Sequence, residues 1–283
     1  MSSTFERSCA HWSAARSDGM SHFYALAWVD YQHLANARDW VAWLETQQRR
    51  VGSRPLELLD VACGSGKFPT ALLRDTALRS AALEPVRYAL LDPAPFSVEQ
   101  ARAALAPPFV PGDEYVTTLQ QFATPARRFD VMWATHALYA VPPAELDAAL
   151  ARFVDALAGV ALIAHSSERG HYIRCYEHYV KSFRRGEQVV PYATAEQIVA
   201  SLDRLGVSYE VEEIRYTNGT PDDDRERIEG YLQRCVFDDD VSLAQMLATE
   251  PMASYLAESR DGEGWRFEQC VALITLDRTG AGG

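Results

Sequence analysis

The stretch from Leu56 to Leu73, Leu-Glu-Leu-Leu-Asp-Val-Ala-Cys-Gly-Ser-Gly-Lys-Phe-Pro-Thr-Ala-Leu-Leu, constrains this chain more than any other. Leu56, Leu58, Leu59 and Val61 form a short apolar run that reads as a buried parallel strand. Asp60 lies near its end, and Ala62 to Gly66 supply small residues for a sharp turn into a helix starting near Lys67. Gly64 and Gly66 can adopt positive φ and let another molecule approach bare backbone. The helix would present its first N–H groups and positive dipole end to whatever sits above the turn. A phosphate-clamping loop would need Ser or Thr where Phe68 follows Lys67. A dinucleotide fingerprint would need glycines where Ala62 and Pro69 stand. The turn therefore predicts a nucleotide site of another kind.

Downstream, Tyr88 to Leu91 is an apolar run closed by Asp92-Pro93, with Asp92 26 residues beyond Gly66. That spacing suits the end of the second strand of a β-α-β unit, where a carboxylate can accept both hydroxyls of a ribose. Ser97 opens the following helix. A third strand is expected over Tyr115–Leu119, including Thr117 and Thr118. Phe129 to Trp133 reads as a buried fourth strand, with Thr135 and His136 emerging at its C-terminal end, where open α/β sheets place ligands. Pro142-Pro143 precede a helix over Ala144–Leu157, and Ala158 to His165 forms a fifth strand. An aromatic and His-rich helix is expected over Gly170–Arg185, and Thr194 to Gln197 form a capping box for the next one. A sixth strand over Val207–Ile214, helices over Asp222–Phe237 and Asp240–Ala257, a strand over Phe267–Leu276 and a disordered Gly280–Gly283 tail complete the reading. The alternation predicts an α/β, Rossmann-like sheet of seven mostly parallel strands with helices on both faces.

The first 50 residues are expected to form a helical cap. Residues 1–16 have no clear pattern and are either flexible or folded over a site. Two helices, or one bent one, then span Ser17 to Arg50, with Ser17 or Asp18 as a cap. Tyr24, Trp28 and Tyr31 share one helical face, as do Trp40, Trp43 and Leu44. Such stripes usually pack a helix on its neighbours. The sharper expectation is that His22, Phe23 and Tyr24 line a pocket. Residues 51–283 would form the main domain, with a lid insertion around 168–192 and a helical segment around 222–257.

A net charge of −12 argues against nucleic acid or an acidic membrane surface as partner. The longest apolar run, Val154 to His165, is too short to span a bilayer, and the start lacks an apolar signal core, so a cytoplasmic protein is expected. Five cysteines without CxxC spacing read as reduced thiols. His165, His171 and His178 lack a partner carboxylate at ligand spacing, so no metal is expected. The absence of a Gly-x-Ser-x-Gly elbow excludes a serine hydrolase of that type.

Asp60-x-Ala62-x-Gly64-x-Gly66 resembles the first motif of class I S-adenosylmethionine-dependent methyltransferases. The resemblance implies a cofactor held by Asp60, Ala62, Gly64, Gly66, Asp92, Pro93, Ser97, Thr117, Thr118 and Thr135. The pattern is further similar to the histamine N-methyltransferase-like branch in Phe129-Asp130, Leu138 to Val141, Tyr192 to Glu210, Tyr231 to Phe237 and Phe267 to Cys270. There His136 stands for a substrate-contacting glutamine and Gln269 for an asparagine. Tyr139 is kept from a pair of pocket tyrosines, while Ala140 replaces the other. The aromatic N-terminal helix and the size also resemble actinomycete indole C3-methyltransferases, which act on tryptophan-containing diketopiperazines and give pyrroloindolines.

The implied substrate contacts are Phe23, Tyr24, Trp28, His136, Tyr139, His178, Tyr179 and Gln269. His136 is the first candidate base, having the reference pKa nearest neutrality, and Tyr24 the second. The expected partner is a small-molecule acceptor, and the protein a monomer or homodimer. An amine or imidazole acceptor, and a cofactor-binding protein without catalysis, are the competing expectations.

Overall fold

The computed structural model describes residues 4–16, 18–126, 128–221, 223–262 and 264–279. The chain opens with helices α1 (Thr4–His11), α2 (Asp18–Asn36) and α3 (Trp40–Val51). Strand β1 (Leu56–Val61) and helix α4 (Lys67–Asp75) follow, then β2 (Val86–Leu91), α5 (Pro95–Ala104), β3 (Phe109–Tyr115) and β4 (Phe129–Thr135). Helix α6 (Leu146–Ala156) leads into β5 (Leu157–Ser166), α7 (His171–Phe183), α8 (Ala195–Arg204) and β6 (Glu210–Pro221). The last third holds α9 (Arg225–Val236), α10 (Leu243–Ala248), α11 (Met252–Glu258), the two-residue β7 (Arg260–Asp261) and β8 (Gly264–Asp277).

The sheet order is β3-β2-β1-β4-β5-β8-β6, with β7 paired to β8. β1 through β5 pair in parallel, whereas β8 runs antiparallel to both β5 and β6. The expected seven mostly parallel strands are present, with β7 as an addition. β1 is buried at every position, as its unbroken apolar run requires of a central parallel strand. One face of the sheet is covered through Trp40, Leu44, Phe68 and Val98, the other through Leu150, Phe153, Ile198 and Leu202. A third core ties Leu26 and Ala27 of α2 to Tyr176, Tyr179, Tyr231 and Met252 of the C-terminal helices. The Thr194–Gln197 capping box opens α8 as the sequence indicates.

Three expectations are corrected. The third strand ends at Tyr115 and does not begin there. It pairs from Val86↔Phe109 to Leu91↔Tyr115, and Gly112 lets it pass close to Tyr88 and Ala89. As an exposed edge strand carrying Pro111 it has no apolar alternation to betray it. Thr118 instead caps the short 3-10 turn Leu119–Gln121. The segment 240–257 forms two helices because Ser242 and Gln245 cap the first and the chain breaks at Pro251, which has no N–H to continue a helix. β6 runs seven residues beyond Ile214, paired throughout with β8. Of the two alternatives for the first 16 residues, the described ones take the folded one: α1 is fastened by Thr4 and Arg7 to the Tyr176 hydroxyl and by His11 to Asp239. The expectations for Ser17 as a cap, Asp222 as a helix start and the Gly280–Gly283 tail lie outside the described residues.

Candidate active site

The loops at the C-terminal edge of the parallel strands enclose the main cleft. Three non-glycine lining residues hold the left-handed backbone conformation, Ala62 (φ 51°) after β1 and His136 (φ 52°) after β4 in these loops, and Phe237 (φ 52°) at the end of α9. Such residues cost on the order of 1–3 kcal/mol and gather at functional sites. Gly64 (φ 50°) also faces the cleft, and a Cβ built on it would meet nothing within 4 Å. Its N–H donates to Asp92 Oδ2 at 3.1 Å, while the Ala94 N–H donates to Oδ1 at 2.9 Å. Asp92 is 7% exposed, and burial pushes its carboxyl up to about 6 despite those bonds. Thr118, Pro93 and Thr135 line the same cleft.

Gly66 has a different task. A Cβ there would lie 3.0 Å from Ala101 Cα and from Ala104 Cβ, so the glycine lets α4 start against α5. Asp60 lies beneath the loop, accepting a 2.8 Å bond from the Tyr88 hydroxyl, which in turn accepts from Trp133 Nε1. Burial lifts the Asp60 carboxyl to about 7. Ser97 sits behind Asp92 and hydrogen-bonds to it. These three residues and Thr117 are not brought into the cleft wall.

Beyond His136 the cleft becomes an aromatic chamber, walled by Trp12 just after α1, Phe23, Tyr24 and Tyr31 of α2, Tyr139 and Tyr172. The Ser65 hydroxyl donates to the Tyr24 oxygen at 3.1 Å, and Lys67 Nζ sits 4.4 Å from the centre of that ring. His136 Nδ1 lies 2.8 Å from the Tyr139 hydroxyl, whose oxygen accepts the Ser166 N–H at 3.3 Å. The Ser166 N–H fills one of the phenol's two lone pairs, and we assign the Tyr139 proton to Nδ1. His136 therefore carries its own proton on Nε2, an atom without a partner among the described residues. Burial holds its pKa down to about 4, so the ring is neutral. In this tautomer it offers the chamber a donor, not the lone pair a base requires.

Tyr24, Phe23, His136 and Tyr139 are thus brought together, with Ala140 in the same wall. Four other candidate contacts are not. Trp28 stacks under the Arg74 guanidinium, 4.2 Å from its ring centre, on the flank of the sheet. His178 bonds the Arg174 carbonyl at 2.7 Å and stacks on Tyr255, while the buried Tyr179 donates to Asp238. Gln269 points into the third core, where its Nε2 lies 3.4 Å from the Tyr231 hydroxyl. α7 reaches the cleft two turns earlier, through Tyr172. His22 packs against Gly230 of α9.

Two charged lining residues were not anticipated. Asp30, 2% exposed, lines the chamber and accepts from the Tyr172 hydroxyl and from Asn218 Nδ2 at 2.9 Å. Arg234, also 2% exposed, stacks on Trp12 and donates to the carbonyls of His11 and Arg16. A signal existed for the first: Phe23, Leu26, Ala27, Asp30 and Leu34 share one helical face, so a carboxylate interrupts an apolar stripe. Among the described residues no group of three His, Cys, Asp or Glu side chains could hold a metal ion, and no helix is long and apolar enough to cross a membrane.

No protein-family model and no curated protein matches the chain. Solved structures do. A methyltransferase-like protein of Bacillus halodurans superposes with a TM-score of 0.52 at 14% identity, covering 84% of this chain and 99% of its own. Magnesium protoporphyrin IX methyltransferase of Synechocystis, crystallised with S-adenosylhomocysteine, gives 0.53 at 11% identity, covering 96% and 99%. The YcgJ protein of Bacillus subtilis gives 0.53 at 13%, covering 84% and 97%. The chain has the Rossmann-like α/β fold of the methyltransferases.

Proposed function

We propose that the protein transfers a methyl group from S-adenosylmethionine to a small nitrogen heteroaromatic, C3 of an indole in a tryptophan-derived diketopiperazine being the acceptor that suits the chamber best. The observation that carries this reading is the continuity of two halves of one cleft: a bare backbone turn with a buried acid at the sheet crest, opening into an aromatic chamber at His136. The residues fit the cofactor. The open face of Gly64 leaves room for an amino-acid tail, and Asp92 is a buried carboxylate that has no cation beside it among the described residues and suits the two hydroxyls of a ribose. Pro93 and Thr118 flank the place for the base. The Synechocystis neighbour, crystallised with S-adenosylhomocysteine, supports the same assignment.

When bound, the sulfonium supplies an electrophilic methyl group. The protein's part is to align a nucleophile with it, and near-attack positioning is worth about 7–11 kcal/mol in such sites. Phe23, Tyr31 and Tyr172 would hold a flat ring, and the His136 Nε2–H would orient a carbonyl or ring heteroatom. The chamber's aromatic faces also attract cations, which favours a small amine or imidazole as the second acceptor class. Mass spectrometry after incubation with S-adenosylmethionine and a panel of cyclic tryptophan dipeptides, histamine and simple amines separates these readings. A methylated indole is expected. Turnover of histamine alone would replace the indole with an amine, and tight S-adenosylhomocysteine binding with no product would leave a cofactor-binding protein.

A further inference from the structure

Building on the methyl-transfer reading, we propose that Asp30 is the acceptor-recognising group of the chamber: its carboxylate takes the ring N–H of the substrate and receives that proton. Asp30 stands in the wall of the aromatic chamber, on the helical face it shares with Phe23. Among the described residues no Lys or Arg pairs with it. Its partners are the Tyr172 hydroxyl on one oxygen and Asn218 Nδ2 on the other, with the Tyr216 hydroxyl as a further donor. The titratable groups around it are Tyr139 after β4, Tyr172 of α7, Tyr216 of β6, Tyr231 and Cys235 of α9, and Tyr31 and His33 of its own helix; His33 stacks on the Tyr216 ring. A buried acid without a cation is costly, and an apolar residue would pack this helix more stably. A mere bridge between Tyr172 and β6 would not require the charge.

The surroundings are also built beyond their own needs. Behind Asp30, Asn218 Oδ1 and Gln269 Oε1 are buried without a hydrogen-bond partner among the described residues. Asn218 is fully buried and Gln269 is 2% exposed, so a polar nest backs the carboxylate at a wall that is otherwise aromatic. Tyr172, which donates to Asp30, lies edge-on to His136 with ring centres 5.9 Å apart. The chamber thus sets an acceptor, Asp30, near a donor, His136 Nε2–H. That pair of opposite polarity matches an aromatic N–H whose molecule also bears a carbonyl.

For an indole the balance is as follows. The C2–C3 π pair forms the bond to the methyl carbon while the S–CH₃ bond breaks and its electrons stay on sulfur. The positive charge on the ring nitrogen is discharged by passing the N1 proton to Asp30. The resulting neutral C2=N1 bond can then add a neighbouring amide N–H without net proton change. Burial holds the Asp30 carboxyl up to about 6, which suits a group that gains and sheds a proton near neutrality.

The test uses Asp30→Asn in the full chain, with indole and N1-methylindole as probes on protein saturated with S-adenosylhomocysteine. The variant can keep its network, since Asn218 can turn its orphaned Oδ1 toward the new amide. Asp30→Leu provides a second variant if that one misfolds. Wild type should bind indole at least tenfold more tightly than N1-methylindole, because a site built for an N–H rejects its methylated analogue. The variant should lose that discrimination while its affinity for S-adenosylhomocysteine stays within twofold. With a methylated acceptor in hand, kcat/KM of wild type should fall as pH drops through about 6, and the variant should lose at least a hundredfold in turnover and this acidic limb. Equal binding of the two probes by wild type, or undiminished discrimination in the variant, overturns the proposal. If S-adenosylhomocysteine does not bind, the probes are titrated into the free protein, and discrimination there would sink methyl transfer and leave Asp30 in its recognition role.

Discussion

Replacing Asp92 by Asn tests the cofactor half of the cleft, because affinity and stability should respond in opposite pH windows. The carboxylate already accepts two backbone N–H groups, from Gly64 and Ala94. A ribose would add hydroxyl donors to the charged form, and one such charge-assisted bond is worth about 1.5–3 kcal/mol. The variant should therefore bind S-adenosylhomocysteine roughly 10- to 100-fold more weakly at pH 8, measured by titration calorimetry. Wild-type affinity should be flat above about 6 and fall roughly tenfold per unit below it, as protonation removes the accepting form. Without ligand the sign reverses. The folded-state pKa of about 6 lies above the ordinary 3.8, so this group's stability contribution is complete below 3.8 and is lost as pH rises through about 6. At about 1.36 kcal/mol per unit the whole loss is about 3 kcal/mol, of which about 1.4 kcal/mol falls between pH 5 and pH 8. Urea unfolding should thus find the variant gaining that much on wild type over the interval. Unchanged affinity at pH 8, with wild-type binding indifferent to pH, would show that the ligand does not rest on Asp92.

Gly66→Ala should destabilise the fold by about 1–3 kcal/mol in urea unfolding, since a Cβ at φ 68° would press on Ala101 and Ala104. Gly64→Ala should cost less stability and more S-adenosylhomocysteine affinity, because its methyl would project into the open cleft; equal behaviour of the two would refute the division of labour. Tyr139→Phe should release His136 Nδ1, so that nitrogen NMR finds a mixture of tautomers where wild type shows Nε2–H alone. An unchanged spectrum would mean that the Tyr139 hydroxyl does not set the tautomer.

How much of this was legible depends on how locally each feature is determined. The turn after β1, Asp92 at the end of β2 and His136 at the end of β4 were readable because strand period, small residues and spacing fix them within a few positions. β3 was not, because an exposed edge strand with Pro111 and Gly112 has no buried face to impose a pattern. The misplaced contacts share another cause. His178, Tyr179 and Gln269 carry suitable side chains on elements that flank the site, but Tyr179 is closed into the third core, while His178 and Gln269 line a separate, second cleft. Only the first turn of α7 reaches the chamber, a matter of helix rotation that spacing along the chain does not disclose. α1 likewise has no strong pattern of its own; it is held by distant partners, Tyr176, Asp239 and Arg234.

The distribution of charge gives the clearest reason to place function at one edge of the sheet. Asp130 near the start of β4 is as buried as Asp92, at 6% against 7%, yet it is neutralised by the Arg54 guanidinium and accepts the Glu57 N–H at 2.9 Å. Among the described residues, Asp30 and Asp92 at the opposite edge receive hydrogen bonds from neutral donors only, and burial raises both. A fold selected for stability alone would treat these acids alike, since each uncompensated one is a standing cost. Left-handed backbone at Ala62 and His136 falls on that same edge. Strain and uncompensated charge therefore converge where the two halves of the cleft meet, which is where a ligand offering hydroxyls to one acid and a ring N–H to the other would relieve both.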